Sequence, residues 1–217
     1  MGKHKAAGEG GVLYTAAALL FLALCAWVGA ALYAALSPRA EPPEPERAPE
    51  GPELTGLALR RELRLPEGTS LPAGTREGER LPAGALAGLV PEGAGSAVCF
   101  ARCDGLERLS VDALGDGVSV TAVRALLDAQ PEETASAGRL VLGRDWYLAA
   151  LGPAGDYPQP GERCRLAVEG LDRPLEARVI ALSEAEDGEQ ALLFRLTDGT
   201  PEALSLRRCR VTIEPLG

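Results

Sequence analysis

Beyond residue 5 this 217-residue chain has no lysine and no histidine; Lys3, His4 and Lys5 are the only ones it holds. A Ser/His/Asp or Cys/His nucleophilic arrangement needs a histidine, and Ser–Lys catalysis needs a lysine. Both are therefore excluded over nearly the whole chain. Acid–base chemistry with carboxylates alone, as in glycosidases, needs neither. Here, however, the acidic residues fall mainly in turns and linker text. No catalytic residue is assigned, and a non-enzymatic role is expected.

Aromatic residues are also scarce, at 4%. Any core must then be built mainly from Val, Leu and Ala. The net charge is −9, and beyond the first eleven residues 20 arginines face 30 acidic residues. Phosphate repels such a chain, which argues against nucleic-acid binding and polybasic lipid recognition.

One long apolar run is present. Residues 12–36, VLYTAAALLFLALCAWVGAALYAAL, carry no charge and follow Lys3 and Lys5. A helix of that length spans about 37 Å, enough to cross a hydrocarbon core of about 30 Å. Signal-peptide apolar regions are shorter, about 7–15 residues, so the run is expected to be a retained anchor. Cleavage near Ala31, Ala34 or Ala35 is the alternative. The positive-inside rule places residues 1–11 in the cytoplasm and residues 37–217 outside, a single-pass protein of the cell membrane.

Residues 37–53, SPRAEPPEPERAPEGPE, hold six prolines and five glutamates. They cannot bury a core and are expected to form an extended stalk of about 50 Å. Five cysteines follow two patterns. Cys25 lies in the apolar run, where it serves as a small apolar side chain. Cys99, Cys103, Cys164 and Cys209 permit buried free thiols, one or two disulfides in any of three pairings, or a four-cysteine metal site. Cys99-x3-Cys103 is not a CxxC redox motif.

Past the stalk the text is β-rich. LTGLALRRELRL (54–65) puts Leu57, Leu59, Leu63 and Leu65 on one strand face, with Arg61 interrupting. Glycine and proline then punctuate PEGTSLPAGTREGERLPAGALAGLV, as short strands and tight turns require. Glu77–Leu81 reads as a turn and a short strand, and Gly84, Leu86 and Leu89 as another. Over 110–133, Ser110 and Ser119 are candidate N-caps, and VTAVRALLDAQ places Val123, Leu126 and Leu127 on one helical face before Pro131. From Gly138 six strands are expected, at 139–143, 145–152, 162–170, 175–184, 190–198 and 207–215. Glu186-Asp187-Gly188-Glu189 is the hairpin signal among them. Such strands suit a small antiparallel barrel or sandwich.

The pattern EGERLPAGALAGL (77–89), with GLALRREL before it and Ala94-Gly95 and Cys103-Asp104-Gly105-Leu106-Glu107 after it, resembles a biotinyl/lipoyl-like β module of HlyD-type membrane fusion proteins. GRLVLGRDWYLAAL and PGERCRLAVEG resemble the β-barrel module of clostridial-type members, Trp146 and Tyr147 matching a Trp-Tyr strand whose ordinary role is core packing. The resemblance covers most of 54–214. It implies a mainly β ectodomain: a lipoyl-like module over 54–109, a short helical connector over 110–137 and a β-barrel module over 138–217. It also implies a periplasmic adaptor that serves an efflux or export transporter as an accessory subunit, with a possible homo-oligomer. The alternative is an envelope scaffold without a transport role.

Two departures qualify it. Only Val90-Pro91-Glu92-Gly93 stands where adaptors insert an α-helical hairpin, and the chain ends at Gly217 without their further β domain. Swinging-arm lipoyl and biotin domains attach cofactor to a lysine. With none beyond Lys5, no cofactor is expected on that route, and no metal. Asp104 beside Cys103 reads as the first half of an Asp-Gly turn.

Overall fold

The computed structural model describes residues 20–21, 24–28, 51–86, 88–115, 117–133 and 135–214. Most of the expected anchor and stalk lies outside them. Residues 20–21 and 24–28 are helical, and no helix among the described residues is long and apolar enough to cross a membrane. The chain divides into Met1–Arg47 and Ala48–Gly217. Every described strand belongs to the second unit.

Eight antiparallel strands make up that unit: β1 (Glu53–Pro66), β2 (Arg80–Pro82), β3 (Ser96–Phe100), β4 (Ser136–Pro153), β5 (Arg163–Val168), β6 (Leu175–Leu182), β7 (Glu189–Leu196) and β8 (Arg208–Glu214). Their order is β1-β8-β5-β6-β7-β4-β3-β2, and β1 also pairs with β4. Six strands thus close into a barrel, β1-β8-β5-β6-β7-β4. Strands β1 and β4 are too long to end there. Their outer halves stay paired, Arg61 with Leu142 through Leu65 with Gly138. Strands β3 and β2 extend that ribbon into a second small sheet.

Alternation along the strands sorts their residues. Ala58, Leu148, Phe194 and Val179 lie opposite one another and point inward, where Leu166, Leu192, Val211 and Trp146 complete a core of side chains. The opposite face of β1, β4 and β7 presents Leu57, Leu59, Ala149 and Leu193 outward. They are roofed by helix α1 (Val120–Leu127) through Val120, Val123 and Leu126. Ser119 caps α1, its hydroxyl accepting from the Ala122 N–H at 3.1 Å, as the sequence predicts. A second helix, α2 (Pro201–Ser205), places Ala203 and Leu204 at the barrel core. In the outer sheet, Leu65, Leu86, Ala97, Cys99, Leu140 and Leu142 form a separate cluster.

A mainly β architecture containing a small antiparallel barrel therefore stands. Its partition differs from the expected one. The strand over 54–65 is not the first strand of a self-contained lipoyl-like module, because its first half closes the barrel against β8 and β4. Residues 139–143 and 145–152 are one strand, kinked at Gly143, whose φ of 79° suits a residue without Cβ. Gly84, Leu86 and Leu89 do not form a strand, since Ala83–Leu86 is a 3₁₀ turn. The hairpin at 186–189 is present, with Glu186 bridged to Glu189.

Candidate functional site

Charged residues concentrate where barrel and outer sheet meet. Strand β1 reads Ala58, Arg60, Glu62, Arg64 along the face that fills the barrel, so the last three leave the barrel mouth in sequence. Arg139 arrives from the paired half of β4 and Arg207 from the residue before β8. Asp104 and Glu107 come from the turn after β3. Gly105 makes that turn, with a φ of 78°, and a Cβ on it would meet the Glu132 backbone nitrogen at 2.7 Å.

Every carboxylate oxygen of the cluster has a partner. Glu62, its side chain fully buried, accepts from Arg139 at 3.3 Å and from Arg207, and lies 3.5 Å from Arg60. Asp104 accepts from Arg207 Nε at 2.8 Å, from Arg139, and from the Leu106 N–H at 2.9 Å. Glu107 accepts from Arg64 at 2.7 Å and from the Asp104 and Gly105 N–H groups at 2.6 and 3.1 Å.

Burial works to raise the pKa of Asp104. The Arg207 hydrogen bond and charge outweigh it and hold the carboxyl below its ordinary range. Burial likewise opposes ionisation of Glu107, and Arg64 with the backbone N–H groups prevails. Arg207 is also taxed by burial, yet Glu62 and Asp104 raise its pKa.

Arg60 differs. Its three guanidinium nitrogens are buried without hydrogen-bond partners, and the group lies 5.7 Å from the Trp146 ring centroid. Burial pulls its pKa down to about 9 against the pull of Glu62, so it stays charged at neutral pH. Cation–π attraction compensates part of the lost hydration. Arg139 similarly stacks on Phe100 at 4.9 Å.

Glu62, Asp104 and Glu107 lie close enough together to suggest a cation site. The donor set does not fit one. Their oxygens are already taken by guanidinium and backbone N–H groups, and four arginines surround them. A divalent ion would have to displace those bonds and sit among like charges. The arrangement can lock two sheets together; it offers no free base, acid or ligand.

The four cysteines also fall apart. Cys99 belongs to the outer sheet's core, Cys164 to the barrel core and Cys209 to its edge, while the Cys103 thiol donates to the Gly138 carbonyl at 3.2 Å. All are free thiols. Neither the disulfide nor the four-cysteine metal alternative is realised. Burial raises the thiol pKa at each, to about 11 at Cys164 and Cys209, which keeps them protonated and poorly nucleophilic.

Trp146 packs in the barrel core as expected, its Nε1 donating to the Asp198 carbonyl at 2.8 Å. Tyr147 points outward beside α1. Asp104 does initiate a turn, but its pairing with Arg139 and Arg207, 35 and 103 residues away, carries no local sequence signal. The loop Pro91–Gly95 forms one wall of a groove of about 450 Å³, with Arg61, Arg144 and Asp145 on the other. A second groove of about 350 Å³ lies on the barrel wall among Arg163, Glu176, Arg178, Arg195 and Thr197.

No protein-family model matches this chain, and neither do any curated proteins or solved structures.

Proposed function

We propose that this chain is a non-enzymatic, membrane-anchored, extracytoplasmic adaptor-like protein, an accessory subunit of an efflux or export transporter. One observation carries the reading: two sheets share strands β1 and β4 and are bolted at their junction by the buried Arg60–Glu62–Arg139–Arg207–Asp104 network. Such a junction makes a stiff body with two differently oriented outer surfaces, suited to holding neighbours in fixed relation. In this reading residues 12–36 tether it, and the Pro/Glu-rich stalk sets its height. Membrane confinement raises the effective concentration of partners, so contacts that are individually weak suffice. An envelope scaffold without a transport role is the alternative, and it uses the same surfaces.

Photo-cross-linking in native membranes from sites on the outer sheet and barrel wall, read by mass spectrometry, tests it. Cross-links to a membrane transporter are expected, and protease added to wall-stripped cells should digest residues 37–217. Cross-links confined to wall or division proteins would favour the scaffold. Full protease protection would overturn the topology.

A further inference from the structure

Two adjacent rows of side chains on the outer barrel wall are built on opposite principles. In one, Glu214, Arg165 and Glu176 stand opposite each other on β8, β5 and β6, so charges alternate in sign. In the next, Arg163, Arg178 and Arg195 stand directly opposite on β5, β6 and β7, and Tyr147 on β4 continues the row. Like charges placed opposite each other across strands destabilise a sheet. Asp145 pairs with Arg195; among the described residues Arg163 and Arg178 have no ion-pair partner. All three arginines line the 350 Å³ groove. Ile180, beside a register shift in β6, is exposed two residues from Arg178, the one large apolar side chain so exposed in the described part of Ala48–Gly217. A basic row in which only Arg195 is ion-paired, with Glu176 beside it in the groove, an aromatic at its end and an apolar residue at its flank, is a surface for an anionic, partly apolar occupant.

The chain itself carries a matching segment. Counting back from Glu50 by threes gives Arg47, Glu44 and Glu41, with prolines filling much of the space between. Polyproline II has three residues per turn and rises about 3.1 Å per residue, so in that conformation those positions would share one face and repeat about every 9.3 Å. Strands lie about 4.8 Å apart, so Arg163 and Arg195, two strands apart, are separated by about 9.6 Å. A proline-rich strand crossing β5, β6 and β7 can therefore set Glu41 and Glu44, the two successive glutamates of that face, over the two ends of the row, with Arg178 shared between them. Its prolines would meet Tyr147 and Ile180, as proline-rich ligands dock on aromatic surfaces.

We infer that the Arg163–Arg178–Arg195 row docks the Glu-rich segment 41–50 of a second copy of this chain. Exposed ion pairs are weak singly and screened by salt. The contact therefore works between copies held in one membrane and fades as salt rises. It concerns association between copies and stands apart from any transporter.

The test uses full-length chain in detergent with Glu41, Glu44 and Glu50 replaced by glutamine, and a fluorescent peptide of residues 40–50 at low salt. Anisotropy should report binding that Arg163→Glu with Arg178→Glu weakens at least tenfold, while Arg165→Gln leaves it within twofold. A peptide of equal composition with its glutamates moved off the three-residue register should bind several-fold more weakly. Unchanged melting of the doubly substituted protein separates lost docking from lost fold. In vesicles, energy transfer between labelled copies should fall to a dilution-matched baseline for the arginine variant alone and for the glutamate variant alone. It should return when the two are mixed, since one supplies arginines and the other glutamates. No peptide binding, binding indifferent to charge reversal, or a mixture that stays at baseline would each overturn the assignment. Displacement of peptide by millimolar inorganic phosphate as effective as by unlabelled peptide would overturn it too, and make the row a phosphate site.

Discussion

Strands β1 and β4 pass through two environments, and the halves behave differently. Inside the barrel each half has a hydrogen-bonded neighbour on both sides, an apolar interior and, along Leu57 and Leu59, a helical roof. Outside it, the same strands rest on the short β2 and β3 and on a small cluster around Leu65, Leu86 and Leu140. Closure removes edges and fills the interior. The open end has an edge strand of three residues and loops rich in Gly and Pro. The barrel is thus the more stable half, and the outer sheet depends on the polar junction to stay aligned with it.

Removing the junction's central charge should break the comparison most. Glu62→Ala leaves Arg60, Arg139 and Arg207 buried around an empty position, and a cost of about 3–5 kcal/mol is expected. Urea denaturation followed by far-ultraviolet circular dichroism measures it. A loss under 1 kcal/mol would show that the network does not hold the halves together.

Leu86→Ala should cost about 2–4 kcal/mol, but locally. Native-state hydrogen exchange should speed in β2 and β3 while the amides of β5 to β8 keep their protection. Uniform loss across all strands would mean that the halves unfold as one unit.

Acid sharpens the comparison further. The folded-state pKa values of Asp104 and Glu107 lie below their unfolded values, so the stability they contribute is present above about pH 4–4.5 and is lost as pH falls through the folded values. Asp198, where Thr200 and Arg173 outweigh burial, adds to the same trend. A melting temperature that drops below pH 4, with β3 exchange rising first, is expected. Acid-insensitive melting would remove the junction from the account.

Ser119→Ala removes the α1 cap and should cost about 1 kcal/mol, read as a small shift in denaturation midpoint. Arg60→Met should change stability least, within about 1 kcal/mol and in the stabilising direction. It deletes three buried nitrogens without hydrogen-bond partners, gives up the 3.5 Å contact with Glu62, and leaves Glu62 with Arg139 and Arg207. Destabilisation beyond 2 kcal/mol would mean that the Trp146 contact outweighs the cost of burying Arg60.

Local signals did well where local physics decides. Ser119 before a helical stripe, Asp187-Gly188 between alternating runs, and the Cys164-Leu166-Val168 and Cys209-Val211-Ile213 alternations each depend on neighbours within a few residues. They identified α1, the hairpin and the barrel strands. Strand β3 was not separately expected, because SAVCF is a short apolar run without alternation. The continuity of β4 was hidden by Gly143, which reads as a break until β1 is seen paired on both sides of it.

The charged junction was almost illegible. RRELR puts Arg60, Glu62 and Arg64 on one face, yet charges on a strand ordinarily face solvent. Only the arrival of Arg139, Arg207 and Asp104 from distant parts of the chain turns that face inward.

The sequence by itself determined the residue types that exclude lysine- and histidine-dependent chemistry, the periodicity of each strand, and helix α1 with its Ser119 cap. Tertiary structure alone decided that β1 closes the barrel against β8, that its two halves serve different sheets, and that like-charged arginines line one row of the wall. The reason is range: alternation and capping act over a few residues, whereas pairings such as Gly56 with Cys209 join positions whose order in the chain carries no record of their meeting.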